Sequence, residues 1–327
     1  MRVTIVGGTG LLGSVIARTL VQAGHRVRLI ARRPTAVEVP DHAGTALVLL
    51  DVDTASDAAL ADALSDTDWL VYALGPDDRD HIRPPAAAFF DERLVRRTER
   101  IHRIAADAGV QASVVLGSYF AERGRNRPDF LAHHPYVAAR VAQADAAVAA
   151  GAEGGMRVTL LEIPYVFATR PGLVPLWKTM YYDTYRWLPV LPLPDGGTTM
   201  VTGETVAEAT LAALEVGVHG RSYPVGDDDL TWREFLSVAL RPLRGRVLSV
   251  NAPRWMMEPV AWGMKAKLAI RGNTMGLDTR WVMRDVMLQK IYNDHESTRR
   301  ELGIGRRDVR AAIEENVRFS YPHRFRG

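Results

Sequence analysis

The sequence predicts an α/β fold with a doubly wound parallel sheet, and three observations carry this prediction. Short apolar runs alternate with helical patterns through the first half of the chain. A glycine-rich turn separates the first strand pattern from the first helix pattern. The 327 residues suffice for two domains, or for one α/β domain with a substantial appendage. Strand–helix alternation of this kind is typical of a parallel sheet covered by helices on both faces.

The first half contains six strand patterns and four helix patterns. The strands are Arg2–Val6, Val27–Ile30, Ala46–Leu50, Trp69–Leu74, Ser113–Leu116 and Arg157–Ile163. The helices are Leu11–Ala23, Asp57–Leu64, Phe89–Ala108 and His134–Ala150. Gly24 and Gly109 follow two of these helices, and glycine commonly ends a helix.

The pattern changes past Pro164. The stretch Pro171–Pro194 holds five prolines and five aromatic residues, which no regular βαβ unit would carry. Later elements are helices at Thr205–Leu214, Thr231–Leu240 and Val309–Val317, a strand at Ser222–Gly226, and a helical composition from Trp255 to Met287. Thr231 is a predicted N-cap, because Glu234 follows at the spacing of a capping box. We therefore divide the chain into a domain over 1–165 and a smaller C-terminal region over 166–327, with 201–220 packing back onto the first domain.

Composition excludes several classes of function. The chain carries 41 Lys+Arg against 38 Asp+Glu, and a formal charge of +3 gives no strong field for nucleic acid. The absence of cysteine excludes disulfides, thiolate chemistry and Cys-ligated metal centres. The first residues show no signal-peptide pattern, and no apolar run reaches the 18 residues of a membrane span. We expect a cytoplasmic protein.

The first turn predicts a dinucleotide site and hence a Rossmann-type doubly wound sheet. Gly7, Gly10 and Gly13 follow a strand and open a helix in the pattern G-x-x-G-x-x-G. The first glycine allows a sharp turn, the second lets backbone N–H groups approach a pyrophosphate, and the third lets the helix pack on its strand. The helix N-terminus favours the negative charge of the phosphates. The predicted contacts in this turn are Gly7, Thr9, Gly10, Leu11, Leu12 and Gly13.

The end of the second strand favours NADP(H) over NAD. An NAD site places an acidic residue there, whereas an NADP site places an arginine for the 2′-phosphate. Here the strand is followed by Ala31, Arg32 and Arg33. The alternative is a solvated basic turn. Asp51 and Val52 end the third strand, where a carboxylate can accept from the adenine amino group, although an ordinary turn would look the same.

The chain resembles the extended short-chain dehydrogenase/reductase family, the NAD(P)-dependent epimerase/dehydratase group, nearly from end to end. The matching segments are Gly7–Gly13, Asp51, Tyr72–Gly75, Ala108–Val110, Val115–Ser118, Tyr136 with a basic residue four positions on, and Glu301–Gly303. The resemblance implies a C-terminal substrate-binding region and a catalytic set of Ser/Thr, Tyr and Lys. It also implies cofactor contacts from Ala73, Leu74, Gly75, Arg140 and Pro164.

The catalytic positions of that family fall on Ser118, Tyr136 and Arg140, so Y-x-x-x-K has become Y-x-x-x-R. Residues four apart share a helix face, and a cation beside Tyr136 favours its phenolate. Arginine does not lose a proton under ordinary conditions, so a lysine-type proton relay is not expected. Tyr119 is an alternative source of the phenol.

Other residues near these positions give weaker signals. Leu94 falls where the family has an asparagine. His133 and His134 could line the site, although adjacent histidines in a loop are more often solvated, and no third ligand stands at metal spacing.

The resemblance implies an NADP(H)-dependent carbonyl reductase or alcohol dehydrogenase of ketoreductase type. Aromatic and methionine residues of the C-terminal region suit a bulky apolar, even polycyclic, substrate, unless they simply form core: Trp177, Tyr181, Tyr182, Tyr185, Trp187, Trp255, Met256, Met257, Trp262 and Met264. Alternatives are a nucleotide-sugar epimerase or dehydratase and a non-catalytic NADP-binding redox sensor. We expect a small-molecule partner, no nucleic acid and no membrane span; a homodimer stays open. A membrane-surface role for Trp255–Arg271 is the weakest hypothesis, because buried packing would explain that stretch as well.

Overall fold

Seven parallel strands form the central sheet of this computed structural model, which describes residues 1–33 and 45–325, and only the backbone of Val260. The strands are β1 (Arg2–Val6), β2 (Arg26–Ala31), β3 (Thr45–Leu49), β4 (Trp69–Tyr72), β5 (Ala112–Leu116), β6 (Arg157–Glu162) and β10 (Ser222–Pro224). Their spatial order is β3-β2-β1-β4-β5-β6-β10. The predicted fold class, a Rossmann-type doubly wound sheet, is confirmed.

The topology creates a crevice beside β1. Val3 pairs with Val27 of β2 on one side and with Trp69 of β4 on the other. The chain therefore runs outward in one direction from β1 to β3, and in the other direction from β4 to β6. Ligands of such sheets bind at the carboxyl ends of the strands where the order reverses, which here lies between β1 and β4.

Helices cover both faces of this sheet. They are α1 (Leu11–Gln22), α2 (Asp57–Leu64), α3 (Ala86–Phe90), a π-helical turn (Asp91–Arg96), α4 (Arg97–Asp107), α5 (Phe120–Asn126), α6 (Pro128–His133), α7 (Pro135–Glu153) and α9 (Gly203–Val216). One face packs against α1 and α9, through residues such as Ile16 and Val206. The other packs against α2, α4 and α7, through residues such as Leu60, Ile101 and Ala147.

The remaining elements form a smaller region beside the sheet. Its strand β9 (Gly197–Thr202) pairs with β7 (Tyr165–Phe167), β11 (Asp228–Thr231) and β13 (Lys290–Ile291), and β8 (Val190–Leu193) pairs with β12 (Leu248–Asn251). Its helices are α8 (Asp183–Tyr185), α10 (Trp232–Arg244), α11 (Arg254–Ile270), α12 (Thr279–Val282), α13 (His295–Leu302) and α14 (Val309–Ser320). π-Helical turns lie at Lys178–Tyr182 and Met283–Met287, and a 3₁₀ turn at Pro322–Arg324. Aromatic side chains dominate its core, among them Trp177, Trp232 and Phe235.

Two sequence-based expectations for this region need correction. The stretch from Trp255 to Met287, expected to be helical in composition, is helical except between the end of α11 at Ile270 and the start of α12 at Thr279. Trp255 and Trp262 are 72% and 58% exposed, so buried packing does not account for them. None of the helices in the described part of the chain combines the length and apolarity that crossing a bilayer requires.

The strands β7 and β9 carry no clear sequence signal. β9 reads Gly-Thr-Thr-Met-Val-Thr, and all six residues are buried. Its threonines give it the composition of an exposed polar segment. Their hydroxyls nevertheless form hydrogen bonds inside the fold, as the Thr199 hydroxyl does with Asp229. A period-two apolar pattern therefore never appears. The N-cap prediction for α10 is confirmed, because Thr231 and Glu234 form a reciprocal capping box.

Candidate active site

The glycine turn between β1 and α1 has the geometry that a close backbone approach requires. Gly7 has φ +88°, in the left-handed region that favours glycine. The Gly10 N–H donates to the carbonyl of Gly7 at 2.9 Å, which closes the turn. A Cβ on Gly13 would overlap that same carbonyl oxygen. The first turn of α1 carries no acidic side chain, so it leaves its N-terminus open to an anion.

A cavity of about 580 Å³ opens beside this turn. Most of the predicted cofactor residues line it: Gly7, Thr9, Gly10, Arg32, Arg33, Asp51, Val52, Ala73, Leu74 and Gly75. We call it the first cavity. It lies at the carboxyl ends of β1, β2 and β4, which is where the fold predicts a ligand.

Arginines outnumber carboxylates around the first cavity. Among the residues that the structure describes, five arginines line it, at positions 32, 33, 93, 97 and 170, together with Asp51 and Asp53. Asp53 is paired with Arg93 and, at 3.1 Å, with Arg97. Arg32 and Arg33 are exposed at the mouth. Asp51 accepts the Asp53 N–H at 3.1 Å with one carboxylate oxygen, so it shapes a turn as well as lining the cavity.

A second cavity of about 640 Å³ adjoins the first, since both are lined by Gly10, Ala73, Leu74, Gly75 and Arg170. The remaining predicted cofactor residues lie here: Leu11, Leu12, Gly13, Arg140 and Pro164. The predicted catalytic residues Ser118, Tyr136 and Arg140 line it too. The structure thus brings every residue of the predicted site to one of two adjoining cavities.

Tyr136 and Arg140 lie one turn apart on α7 and are directly bonded. The Arg140 Nε donates to the Tyr136 hydroxyl oxygen at 2.9 Å, and both side chains are buried. Because that oxygen accepts, the phenolic proton is free to be donated into the cavity. Burial raises the pKa of Tyr136, and the charge of Arg140 opposes that shift. The phenol is therefore held protonated at neutral pH, as a proton donor requires.

Buried hydrogen bonds to Gln143, and from Gln143 to Thr98, fix the position of the Arg140 side chain. Its Nη1 donates to the Gln143 side-chain oxygen at 2.8 Å, and the Gln143 Nε2 donates to the Thr98 hydroxyl at 2.9 Å. Sequence reasoning missed Gln143. Its signal was a polar residue three positions after Arg140, on the helix face that packs against α4.

Ser118 lies two residues beyond the end of β5. Its hydroxyl oxygen accepts the Phe120 N–H at 3.3 Å, and the side chain is buried. The neighbouring Tyr119 also lines the second cavity, but its hydroxyl is bonded to the Thr198 hydroxyl at 3.2 Å. Burial raises the pKa of Tyr119 well above its usual value.

The aromatic wall of the second cavity differs from the one expected. Of the residues proposed from the sequence, Trp177 lines the cavity, whereas Tyr181 and Tyr182 are buried in the core. Tyr119, Phe120, Tyr136 and Tyr165 supply the rest of the aromatic wall. Tyr119, Phe120 and Tyr136 lie at helix starts and Tyr165 opens the strand β7, so no helical periodicity marks them.

Four charged residues of the second cavity were missed altogether, namely Arg170 and a cluster of three. Asp77, Asp78 and Arg79 follow Gly75 and Pro76, just beyond the end of β4. Arg79 donates from Nη2 to Asp77 at 2.6 Å, and its guanidinium lies 5.1 Å from the Trp177 ring. Burial raises the pKa of Asp78 to about 7, with Arg79 opposing and the charge of Asp77 adding to the shift. The available signal was position, because site residues gather at the carboxyl ends of parallel strands.

The expectation of solvated histidines is wrong. His134 is completely buried, accepts the Asp278 N–H at 3.1 Å, and has its pKa lowered to about 4 by burial. His133 bonds Asp285 at 2.8 Å and stacks on Trp281. Within the described ranges, no three His, Asp or Glu side chains cluster as a metal site would require.

Comparisons with known proteins agree with this geometry. Residues 7–168 match the model of a family described as NAD(P)H-binding. No curated protein matches the sequence significantly. Among solved structures, the chain is similar to gox2253, with a TM-score of 0.76, 19% identity and coverage of 98% of both chains.

Two further structures have named activities. One is DesIV, a dTDP-glucose 4,6-dehydratase from Streptomyces venezuelae solved with NAD, with a TM-score of 0.68, 19% identity and coverage of 98% of this chain and 97% of that one. The other is a UDP-N-acetylglucosamine 4-epimerase from Methanobrevibacter ruminantium, with a TM-score of 0.69, 12% identity and 98% coverage of both chains. At these identities the likeness shows the fold.

The matched family model and the glycine turn indicate an NAD(P)-binding domain, and the fold is of the Rossmann-like α/β class. More particularly, the chain carries an NAD(P)H-binding domain on the fold of the short-chain dehydrogenase/reductase and NAD-dependent epimerase/dehydratase group. The predicted resemblance is confirmed at this level. The described residues fit a dinucleotide for two reasons. The tight turn that a dinucleotide needs is present, since a Cβ at Gly13 would overlap the Gly7 carbonyl oxygen. The first cavity is lined by arginines, which can bind phosphate.

Proposed function

We propose that the protein is an NADP(H)-dependent carbonyl reductase or alcohol dehydrogenase acting on a bulky apolar substrate. One observation carries the proposal: the Tyr136 hydroxyl, oriented by Arg140, lines a cavity that adjoins the glycine-turn cavity. Bound NADPH supplies the hydride. Tyr136 donates a proton to the carbonyl oxygen, Ser118 orients that oxygen, and Arg140 holds the phenol and would help to hold the cofactor at its ribose.

The preference for NADP(H) rests on the first cavity. Arg32 and Arg33 stand at the end of β2, where an acidic residue would accept from the ribose 2′-hydroxyl in an NAD site. Guanidinium groups form bidentate, charge-assisted hydrogen bonds with phosphate. These two side chains are therefore proposed to bind the 2′-phosphate, and Asp51 the adenine amino group.

The apolar substrate rests on the second cavity. Leu173, Val174 and Leu176 are exposed at its lining, and Tyr165 stacks on Trp177 within its wall at 4.6 Å between ring centroids. Pockets of this kind bind ligands chiefly through apolar surface and a few polar groups. We also propose that the boundary between the two domains lies at about residue 165. The proposed location is cytoplasmic, and the proposal does not depend on whether the protein dimerises.

A nucleotide-sugar epimerase or dehydratase is the second candidate, favoured by the activities of two solved structures with the same fold. The two candidates differ in their redox balance. A carbonyl reductase oxidises NADPH in proportion to product, whereas a nucleotide-sugar epimerase returns its cofactor unchanged.

The test is Tyr136→Phe, assayed with NADPH and a panel of bulky aryl and polycyclic ketones. Loss of the acid should lower turnover about 10²- to 10⁴-fold, the usual contribution of a positioned general acid. NADPH affinity should hardly change, since the phenol is not a predicted cofactor contact. Retained turnover in this variant would move the proton source to Tyr119, solvent or the substrate. Stoichiometric NADPH binding by the parent protein without turnover of any ketone would favour a redox sensor instead.

A further inference from the structure

Asp77, Asp78 and Arg79 place two carboxylates and one guanidinium in the wall of the second cavity. Arg79 donates to both carboxylate oxygens of Asp77, from Nε and, at 2.6 Å, from Nη2. This bidentate pair neutralises Asp77, and the pKa of Asp77 is accordingly lowered by Arg79 although burial opposes the shift. The same guanidinium also forms an ion pair with Asp78.

Asp78 therefore shares one guanidinium with Asp77, and the cluster carries one net negative charge when both acids are ionised. Its Oδ1 lies 3.5 Å from the Arg79 Nε, which already donates to Asp77. The Asp78 backbone carbonyl accepts the Gly276 N–H at 2.9 Å, which fixes the residue against the segment before α12. The side chain is 13% exposed and lines the cavity. Two carboxylates that share one cation in a largely enclosed cavity wall are costly to keep ionised, so a ligand that brings a second positive charge lowers that cost.

The groups facing Asp78 from other elements are phenols. The negative charge of Asp78 helps burial to raise the pKa of Tyr119, Tyr136 and Tyr165, all of which line the same cavity. Neutral phenols supply no positive charge. Arg140 and Arg170 also line the cavity, and Arg140 donates to Tyr136 and Gln143.

We propose that Asp78 binds a protonated amino group of the substrate, in the cavity where Tyr136 faces the reacting carbonyl. The substrate class is then an apolar ketone that carries an amine. The inference rests on the proposed function for the ketone, but the amine-binding site itself can be tested without turnover.

The experiment compares two ligands of equal size on the NADPH-loaded protein by calorimetry. 1-Naphthylmethylamine is cationic and 1-naphthalenemethanol is neutral. At pH 8, above the pKa of about 7 that burial gives Asp78, the amine should bind at least about tenfold more tightly than the alcohol. Asp78→Asn should bind both ligands equally. Asp145→Asn, which removes an exposed carboxylate on α7 outside both cavities, should keep the preference.

The pH dependence of amine binding by the parent protein tests the same inference without any variant, so a misfolded Asp78→Asn protein cannot invalidate it. Lowering the pH from 8 to 6 should weaken amine binding, because Asp78 gains a proton while the amine keeps its own. Alcohol binding should stay constant. The charged groups around Asp78 that bear on this result are Asp77 and Arg79 beside it, and the three phenols remain neutral throughout this range.

Equal affinities in the parent protein, or a preference that survives in Asp78→Asn, would overturn the inference. Ketone turnover without an amine preference would remove this site and leave the reductase intact. An amine preference without turnover of any ketone would keep the binding site and overturn the reductase.

Discussion

The two adjoining cavities differ in where their walls come from and in what those walls carry. The first is built almost wholly by the N-terminal half, from Val6 to Arg97, with Arg170 as the contribution from later in the chain. Its character is cationic. The second draws on residues from Gly10 to Asn316 and combines aromatic rings with an acid–base cluster. The first cavity therefore holds features common to dinucleotide sites, whereas the second is the one that we propose sets the chemistry and the choice of substrate.

After the loss already expected for Tyr136→Phe, the largest effect is expected at Arg140, which lines the second cavity and is also a predicted cofactor contact. Arg140→Met leaves the Tyr136 hydroxyl and the Gln143 side chain without a buried donor, at about 1–3 kcal/mol for each unsatisfied group. Turnover should fall by about 10- to 100-fold, and NADPH affinity should fall with it. Arg140→Lys should keep substantial activity, because an ammonium can replace the positive charge. Steady-state rates and NADPH titrations on both variants decide the matter, and a fully active Arg140→Met protein would end this interpretation of α7.

A smaller effect is expected at the first cavity. NADPH should bind at least about tenfold more tightly than NADH, because charge-assisted hydrogen bonds contribute about 1.5–3 kcal/mol each. Arg32→Ala should remove much of that difference by weakening NADPH alone. Arg26→Ala, at the opposite end of β2, serves as the matched control and should change neither affinity. Equal calorimetric affinities for the two cofactors in the parent protein would rule out the proposed 2′-phosphate site.

The smallest effect is expected at Trp255, which lies outside the second cavity. Trp255 lies on α11, is 72% exposed, and does not line either cavity. Trp255→Gln should change the free energy of unfolding by no more than about 0.5 kcal/mol, as is usual for surface substitutions. Ketone turnover should match the parent protein. A marked loss of turnover with normal thermal unfolding would mean that the substrate also contacts α11.

The same contrast explains how far the sequence could be interpreted. The cofactor turn is local, so Gly7, Gly10 and Gly13 could be assigned from a strand pattern, a spacing and a helix pattern. Arg32 and Asp51 could be predicted as cofactor contacts because each comes directly after the predicted end of a strand. The pairing of Tyr136 with Arg140 is equally local, since residues at i and i+4 share one face of a helix.

The second cavity depends on contacts that cross the chain. Asp78 belongs to a charged run, Asp77-Asp78-Arg79-Asp80, which is typical of a solvated loop. It is buried because Gly276 bonds its backbone and because residues such as Tyr165 close the same cavity. Those partners lie roughly 90 and 200 positions further on, and no local pattern encodes them. For the same reason His134 could not be recognised as buried from its neighbours in sequence.

Isotope transfer tests the central claim most directly. NADPH carrying deuterium at the transferable position of the nicotinamide would be incubated with the parent protein and a bulky aryl ketone. We predict an alcohol that carries the deuterium, formed in equal amount with NADP⁺, and almost no such product with Tyr136→Phe. An NADPH-saturated protein that forms no labelled alcohol from any bulky ketone would contradict the assignment of the second cavity as a carbonyl-reducing site.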